Sequence, residues 1–382
     1  MRDAVIVEAV RTPTGKRNGG LSGVQPADLS AHVLRALAER SGIDTALIED
    51  VIWGCVSQVG EQAFDIARNS VLAAGWPESI PGVSIDRQCG SSQQAVSFAA
   101  ASVIAGHYDV AVAGGVESMS RVPMGSNVQD AFPYGAGFQE RYGKETFPNQ
   151  GVGAEMIAER WNISRTQADE FALESHAAAA AAQDEGRFVT EIAPITNPDG
   201  VKIEHDEGVR RGGTVEGLAG LKTAFKPDGI ITAANSSQIS DGASAVLVTT
   251  SERAKELGLT PIVRVHTAVV TGDDPIIMLT GPIPATALAL KRSGLTIDDI
   301  GAFEVNEAFA TVPLAWLAET GADRARLNPN GGAIALGHPL GGSGTRLAST
   351  LINHMRTNGI KYGLQTMCEG GGQANATIFE LL

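Results

Sequence analysis

Short apolar runs alternate with longer stretches of helical character along most of this chain. A strand-like run, Ala4–Ala9, opens the chain, and a helical run from Asp28 to Arg40 leads into another apolar run, Asp50–Gly54. Much later, a helical run from Pro284 to Arg292 leads into a similar one, Ala302–Val305. Strands that alternate with helices are typical of largely parallel sheets covered by helices on both faces. The pattern therefore predicts an α/β fold.

The same order of motifs occurs twice. Ser41-Gly42 follows the early helical run, and Ser293-Gly294 follows the late one. Two further apolar runs end in paired glycines, Gly114-Gly115 and Gly370-Gly371. The number of residues between these two pairs is nearly the same as that between the two Ser-Gly pairs. The opening run has a looser counterpart in Pro261–His266. Generic βα units can give one such match by chance, but three in one order favour a duplicated unit.

A segment of different character lies between the two halves. It begins with an irregular stretch rich in Pro, Gly and aromatic residues, Pro123–Pro148, and continues with a predicted helix, Gly153–Trp161. A second helix is expected to begin after a capping box at Ser164 and to run through Ala182. We therefore predict an N-terminal half over residues 1–119 and 236–258, an inserted loop domain over 120–235, and a C-terminal half over 259–382.

Composition excludes several classes of protein. The 382 residues carry a net charge of −14, which argues against general binding to nucleic acid or to anionic membranes. Three cysteines do not make a disulfide framework, and their spacing fits no zinc pattern, so no metal site is predicted. No uninterrupted apolar stretch approaches the length of a membrane span. With no signal peptide in evidence, we expect a cytoplasmic protein.

Cys89 is the first candidate for chemistry. It lies between a short apolar run and an Ala-rich helical stretch, so it is expected at a strand-to-helix corner. The positive end of a helix dipole favours the thiolate form of such a cysteine, which is the nucleophilic form. The alternative is a buried cysteine that packs as a small hydrophobic residue, as most free cysteines do.

Three more residues lie in motifs that join a strand end to a glycine-rich or polar turn. His338 is inside the glycine-rich run Asn330–Gly344, where a following proline restricts its backbone. Cys368 precedes Glu369 and a run of three glycines, and Asn306 follows the apolar run Ala302–Val305. Each has an ordinary explanation as a turn histidine, a core cysteine or a helix start.

Taken together, these motifs resemble those of the thiolase family over nearly the whole chain. The resemblance is carried by Cys-Gly-Ser at 89–91, Asn-Glu-Ala-Phe at 306–309, Gly-Gly-Ala-Ile-Ala-Leu-Gly-His-Pro at 331–339 and Cys-x-Gly-Gly-Gly at 368–372. It implies the fold of that family, a duplicated five-layer αβαβα body with an inserted loop domain. It also implies a homodimer or a homotetramer.

The resemblance implies an acyltransferase whose co-substrate is coenzyme A and which needs no permanently bound cofactor. Cys89 would carry the acyl group, His338 would be its base, and Cys368 would be the general acid. Asn306 would hold a water beside the enolate oxygen, and the backbone N–H groups of Cys89 and Gly370 would hold the tetrahedral oxyanion.

CoA is strongly anionic, so an acidic protein needs local positive charge to bind it. The inserted segment supplies Arg210, Arg211, Lys222 and Lys226, although any of them can equally be a solvated surface charge. The resemblance makes Arg210 the candidate for the nucleotide end of CoA. It places Ser237 along the pantetheine tunnel, and Met278 and Phe309 in the acyl pocket.

Departures from the short-chain biosynthetic pattern bear on the substrate. This chain has Asn149-Gln150 where those enzymes have His-Met, and Asn235-Ser236-Ser237-Gln238 where they have Asn-Ala-Ser-Gly. Both differences resemble degradative thiolases. The expected reaction is thiolysis of a longer or bulkier 3-oxoacyl-CoA to acetyl-CoA or propionyl-CoA, in β-oxidation of fatty acids or steroid side chains, with Claisen condensation as its reverse.

Other classes of protein stay open from the sequence alone. They are a biosynthetic acetoacetyl-CoA thiolase, a ketoacyl synthase-like condensing enzyme, a catalytically silent CoA-binding relative and a redox protein that pairs Cys89 with Cys368. The second cysteine argues against the synthase, which lacks it, and the complete set of candidate residues argues against a silent relative. Two features are unusual for the family: Glu369 beside the acid cysteine, and Gln373-Ala374-Asn375 where another glycine is common. An inward-facing Glu369 is expected to raise the pKa of that thiol.

Overall fold

The computed structural model describes residues 2–143 and 148–382. The strands are β1 Val5–Arg11, β2 Gly15–Lys16, β3 Asp50–Gly54, β4 Gly82–Ile85, β5 Val110–Ser118, β6 Ile195–Thr196, β7 Lys202–Ile203, β8 Ser240–Thr249, β9 Val263–Gly272, β10 Ala302–Val305, β11 Tyr362–Glu369 and β12 Gln373–Leu381. The α-helices are α1 Pro26–Ser41, α2 Ile66–Ala73, α3 Ser91–Ala105, α4 Ala136–Tyr142, α5 Gln150–Arg160, α6 Arg165–Asp184, α7 Val215–Ala219, α8 Ser251–Glu256, α9 Pro282–Ser293, α10 Thr311–Thr320, α11 Ala333–Leu336 and α12 Ser343–Asn358.

The strand topology repeats between the two halves. In the first half β3 pairs in parallel with β5, and β5, β8 and β1 follow in antiparallel order. In the second half β10 pairs in parallel with β11, and β11, β12 and β9 follow in the same antiparallel order. Pairing of β1 with β9 joins both into one sheet, ten-stranded in the described residues. This equivalence supports the duplication that the sequence motifs predicted.

The two Ser-Gly pairs end equivalent helices. Gly42 follows α1 with φ of 70°, and Gly294 follows α9 with φ of 75°. Each glycine N–H bonds back to a carbonyl of the last helical turn, from Ala38 and Leu290 respectively. Glycine adopts this left-handed conformation without steric cost, so it is the residue that ends a helix in this way.

Apolar residues on alternate faces of the strands define five layers. Helices α1 and α2 pack on one face of the N-terminal strands, and α9 and α10 pack on the outer face of the C-terminal strands. Between the two sets of strands lie α3 and α12, one helix from each half, in a shared core. Gly344 allows their close approach, because a Cβ there would lie 2.1 Å from the backbone nitrogen of Gln93. The predicted αβαβα fold is confirmed.

The segment between β5 and β8 contains α4 to α7 and the small β6–β7 pair. The capping box at Ser164 is present, with Gln167 as its partner, and α6 runs two residues beyond Ala182. The stretch Pro123–Pro148, expected to be irregular, contains α4, and residues 144–147 lie outside the described part. Across the described ranges, no helix combines the length and the apolar character needed to cross a membrane.

Ion pairs of a buried arginine in β1 connect this strand to the inserted segment. Arg11 is fully buried and donates from Nε to Glu191 Oε1 at 2.7 Å and from Nη1 to Asp206 Oδ1 at 2.6 Å. Its Nη2 reaches the second oxygen of Asp206 at 3.0 Å, which makes that pair bidentate. Both carboxylates are buried, so this arginine supplies the compensating charge for two acids at once.

Replacement of Arg11 by methionine is expected to destabilise the protein by about 3–5 kcal/mol, because it removes the positive charge that is paired with two buried carboxylates. Urea unfolding followed by circular dichroism measures the effect. Lys202→Ala is the matched control, since it removes the exposed pair of Lys202 with Glu204, and its midpoint should stay near that of the parent. Equal midpoints for Arg11→Met and the parent would contradict the role of this cluster.

Candidate active site

Four separate segments bring the sequence-predicted residues Cys89, Asn306, His338 and Cys368 into one buried region. Each of these side chains is at most 4% exposed. Asn306 and His338 approach within 3.4 Å, and Cys89 interacts electrostatically with Cys368. Cys89 also shares an apolar cluster with Leu340, which belongs to the loop that carries His338. The fold thus gathers residues that are up to 279 positions apart in the sequence.

Cys89 lies at the expected corner, between β4 and α3. The residue before it, Gln88, has φ of 48°, a conformation that side chains other than glycine rarely adopt. Hydrogen bonds hold this strained corner: Gln88 N donates to Asp86 Oδ1 at 2.6 Å, and Ser91 Oγ donates to Gln88 O at 2.6 Å. Such strain is found at sites where a side chain must be held in one position.

The expectation that the helix end favours a Cys89 thiolate is wrong for the free protein. Burial, and after it the charge of the nearby Glu369, raise the pKa of the Cys89 thiol to about 12. A hydrogen bond from the side chain of Gln150 opposes these effects. Loss of solvation outweighs the helix end because a buried thiolate loses most of its stabilisation by water. Cys89 is therefore a thiol that needs a base.

The hydrogen bonds and the burial of His338 suit it to act as the base for Cys89. Ser343 Oγ donates to Pro339 O at 2.8 Å, so it accepts a hydrogen bond from His338 Nδ1 at 2.6 Å. This fixes the proton on Nδ1 and leaves Nε2 as an acceptor, 3.4 Å from Asn306 Nδ2. Burial first, and Arg346 second, lower the pKa of His338 to about 3, which keeps the imidazole neutral at physiological pH.

Ser343 was not predicted as a site residue. In the sequence it is one small residue of a Gly-Gly-Ser-Gly turn, and nothing in that pattern shows that its hydroxyl selects a histidine tautomer. Glu117 was missed for a similar reason. This buried carboxylate accepts hydrogen bonds from the N–H groups of Val56, Ser57 and Gly341 at 2.9–3.1 Å, and so ties the His338 loop to the loop after β3.

Cys368 lies near the C-terminal end of β11, within an apolar cluster. Burial raises the pKa of its thiol, and the neighbouring Cys89 adds to the effect. The glycines that follow leave room for backbone beside it. A Cβ on Gly370 would lie 2.8 Å from Gln88 Oε1, and one on Gly372, where φ is 73°, would lie 2.7 Å from Asp273 O. The backbone of Gly370 is thus placed close to the residue that precedes Cys89.

The predicted acyl-pocket residues lie around Cys368. Met278 and Phe309 are buried in the same apolar cluster as Cys368, and the ring of Phe225 meets that of Phe309 edge-on at 5.9 Å. Ser237 is adjacent, since its N–H donates to Ala308 O at 2.9 Å. These contacts place apolar side chains beside the Cys368 thiol, and they place Ser237 next to the same apolar cluster.

The other residues predicted to bind substrate or CoA differ in their exposure and in their contacts. The side chain of Gln150 reaches Cys89, whereas Asn149 is exposed and its Oδ1 caps α5 by accepting from Gly151 N and Val152 N. Arg210 is exposed, and its backbone N–H donates to His176 Nδ1 at 3.1 Å. Ion pairs in the described residues engage two of the other basic candidates, Arg211 with Asp184 and Lys226 with Glu159.

The fold and the site define a class of α/β enzyme that gathers two buried thiols and a neutral histidine in one region. Comparison with known proteins agrees with this class. Residues 4–252 match the family described as thiolase, N-terminal domain, and residues 259–381 match thiolase, C-terminal domain.

Two relatives align with all of this chain. A steroid 3-ketoacyl-CoA thiolase, FadA6 of Mycobacterium tuberculosis, is 50% identical over 390 residues, which cover 95% of that protein. A 3-ketoacyl-CoA thiolase of Yersinia pestis is 47% identical over 392 residues and is covered in full. The chain belongs to the thiolase family, as the motifs predicted.

Proposed function

We propose that this enzyme catalyses the CoA-dependent thiolysis of a 3-oxoacyl-CoA, with release of acetyl-CoA or propionyl-CoA and of a shortened acyl-CoA. The observation that carries the proposal is the arrangement of Cys89 and Cys368 as two protonated thiols in one buried region, with a neutral His338 beside Asn306. One thiol can serve as nucleophile and the other as acid, which is what cleavage of a carbon–carbon bond next to a carbonyl requires.

The first half-reaction transfers the acyl group to Cys89. His338 Nε2 takes the Cys89 proton, and the thiolate attacks the ketone carbon. The Cα–Cβ bond of the tetrahedral intermediate then breaks, which leaves the acyl group on Cys89 as a thioester and the electron pair on an acetyl-CoA enolate. Cys368 gives its proton to the enolate carbon and becomes a thiolate.

The second half-reaction regenerates the enzyme. The Cys368 thiolate removes the proton from the thiol of an incoming CoA, and the CoA thiolate attacks the Cys89 thioester. The shortened acyl-CoA leaves, and Cys89 recovers its proton from His338. Read in the opposite direction, the same steps perform a Claisen condensation. Both cysteines and the histidine thus return to their starting protonation states.

Fixed donors stabilise the negative charge that develops on oxygen. Asn306 Oδ1 is buried without a hydrogen-bond partner among the described residues, which supports its role in holding a water beside the enolate oxygen. The N–H groups of Cys89 and Gly370 are the proposed donors to the tetrahedral oxyanion. Donors fixed in place before the reaction stabilise such charge more effectively than mobile water does.

CoA is proposed to bind along the inserted domain, residues 120–235, with Arg210 at its nucleotide end and Ser237 beside pantetheine. CoA is a substrate here, and we propose no permanently bound cofactor. We propose that the inserted domain is flanked by an N-terminal half over residues 1–119 and 236–258 and a C-terminal half over 259–382. The proposed assembly is a homodimer or a homotetramer, and the proposed location is the cytoplasm.

A degradative role on longer or bulkier acyl chains is the proposed specialisation. The wall formed by Met278, Phe309 and Phe225 offers apolar contact to an acyl chain. Gln150, next to Cys89, replaces a residue of the short-chain biosynthetic pattern. The names of the Mycobacterium tuberculosis and Yersinia pestis relatives support the same direction.

Turnover of 3-oxoacyl-CoA thioesters of increasing size tests this proposal. We expect kcat/KM to rise from acetoacetyl-CoA to longer or branched 3-oxo thioesters, because each buried CH₂ group contributes about 0.8 kcal/mol of binding. Loss of thioester enolate absorbance follows the reaction. Activity confined to acetoacetyl-CoA would instead support the biosynthetic alternative, and absence of turnover with every thioester would contradict the thiolase activity itself.

A further inference from the structure

Glu369, directly after Cys368 at the end of β11, is a buried carboxyl group that the mechanism above does not use. Its side chain is 0% exposed, and neither carboxyl oxygen has a hydrogen-bond partner within the described residues. A Cβ built on Gly90, the residue after Cys89, would lie 2.0 Å from Glu369 Oε1. The carboxyl group therefore packs directly against the backbone that carries the nucleophile, and only glycine leaves room for it.

The surroundings of Glu369 link it to both thiols. Its charge acts on Cys89 and on Cys368, and opposes loss of a proton from each. From the segment before Cys89, Arg87 favours the ionised carboxylate and Asp86 disfavours it. Two neutral side chains of β12 lie nearby: Gln373 pairs with Glu369 across the strands, and Asn375 meets the same point beside Gly90. An unpaired buried carboxylate is costly, so a neutral carboxyl group is the stable form here over much of the pH range.

We propose that Glu369 is a titrating positioning residue shared by the two thiols: as the neutral acid it permits a thiolate at Cys89, and as the carboxylate it opposes one. The ionisation of Cys89 is measurable without turnover. The inference therefore rests on the proposed function only for its consequence in catalysis, which is a loss of activity as alkaline conditions ionise Glu369.

The direction of the pH effect follows from the order of the two ionisations. Burial raises the pKa of Glu369 to about 8, well below that of Cys89. Below that pH the carboxyl group is neutral, and the thiolate fraction at Cys89 rises with pH as for any thiol. Above it, the new carboxylate opposes further ionisation of Cys89. The reactivity of Cys89 should therefore rise less steeply with pH above about pH 8 than that of a thiol without such a neighbour.

Alkylation of Cys89 by iodoacetamide tests this inference. The rate is measured between about pH 6 and pH 10 by mass spectrometry of the peptide that contains Cys89, for the parent enzyme and for Glu369→Gln. We expect equal rates near pH 6 and a ratio of variant to parent that grows to roughly tenfold near pH 10, since one pKa unit changes the thiolate population tenfold. A ratio that does not change with pH overturns the inference, because a purely structural effect acts at every pH.

Two further variants separate charge from shape and from general effects. Glu369→Asp keeps the titrating group, so the rate should again rise less steeply above about pH 8, and a profile like that of Glu369→Gln in this variant also overturns the inference. Glu39→Gln, at an exposed position of α1, neutralises a carboxylate far from the thiols and should match the parent. If the alkylation profile is as expected while no 3-oxoacyl-CoA is cleaved, the proposed function fails and the role of Glu369 stands.

Discussion

Replacement of Cys89 by serine is expected to lower the rate of thiolysis by about 10³-fold or more, because an alcohol is a far weaker nucleophile than a thiol. The burial of residue 89 adds to this loss. Because the pKa of His338 is lowered to about 3, His338 is a weak base, and it accepts a proton from a thiol far more readily than from an alcohol. Covalent labelling of residue 89 by a radioactive acyl-CoA should be lost together with activity.

Cys55 provides the matched control for this substitution. It is a buried thiol like Cys89, and burial together with Glu117 raises its pKa, but it takes no part in the proposed chemistry. Cys55→Ser should retain both the acyl label and most of the activity. Thiolysis by Cys89→Ser at a rate near that of the parent, or a label that persists on another residue, would contradict the assignment of the nucleophile.

Replacement of Cys368 by serine is expected to lower carbon–carbon cleavage by about 10²- to 10⁴-fold, the usual contribution of a general acid or base. The acyl transfer between CoA and Cys89 should decline much less, because the CoA thiolate is a better leaving group than an enolate and depends less on an acid. The expected product is an enzyme that still takes the acyl label on Cys89 but does not cleave 3-oxoacyl-CoA.

Exchange of the α-hydrogens of acetyl-CoA with deuterated water isolates the proton transfer from the acyl transfer. Parent enzyme and Cys55→Ser should catalyse this exchange, whereas Cys368→Ser should not. Exchange by Cys368→Ser at the parent rate would show that another group is the acid. Equal loss of acyl labelling and of exchange would show that Cys368 acts mainly on the structure of the pocket rather than on the proton.

Local patterns in the sequence were sufficient for several elements of the fold, although not for α4. The apolar runs at 50–54 and 302–305 coincide with β3 and β10, and the Ser-Gly pairs end α1 and α9. Backbone propensity and helix capping act over a few residues, so they can be read directly from sequence. The resemblance of four motifs to one family then identified the correct fold and family.

The sequence by itself determined which residue types are present for the chemistry: two cysteines, a histidine and an asparagine, each next to glycine-rich or polar turns. Only the tertiary structure decided their chemical states. The pKa of Cys89 is raised, against the expectation from its helix end, because burial acts on it together with Glu369, which is far away in the sequence but near in the fold. The tautomer of His338 depends on Ser343, and both features depend on solvation and on contacts between segments far apart in the chain, which no local pattern encodes.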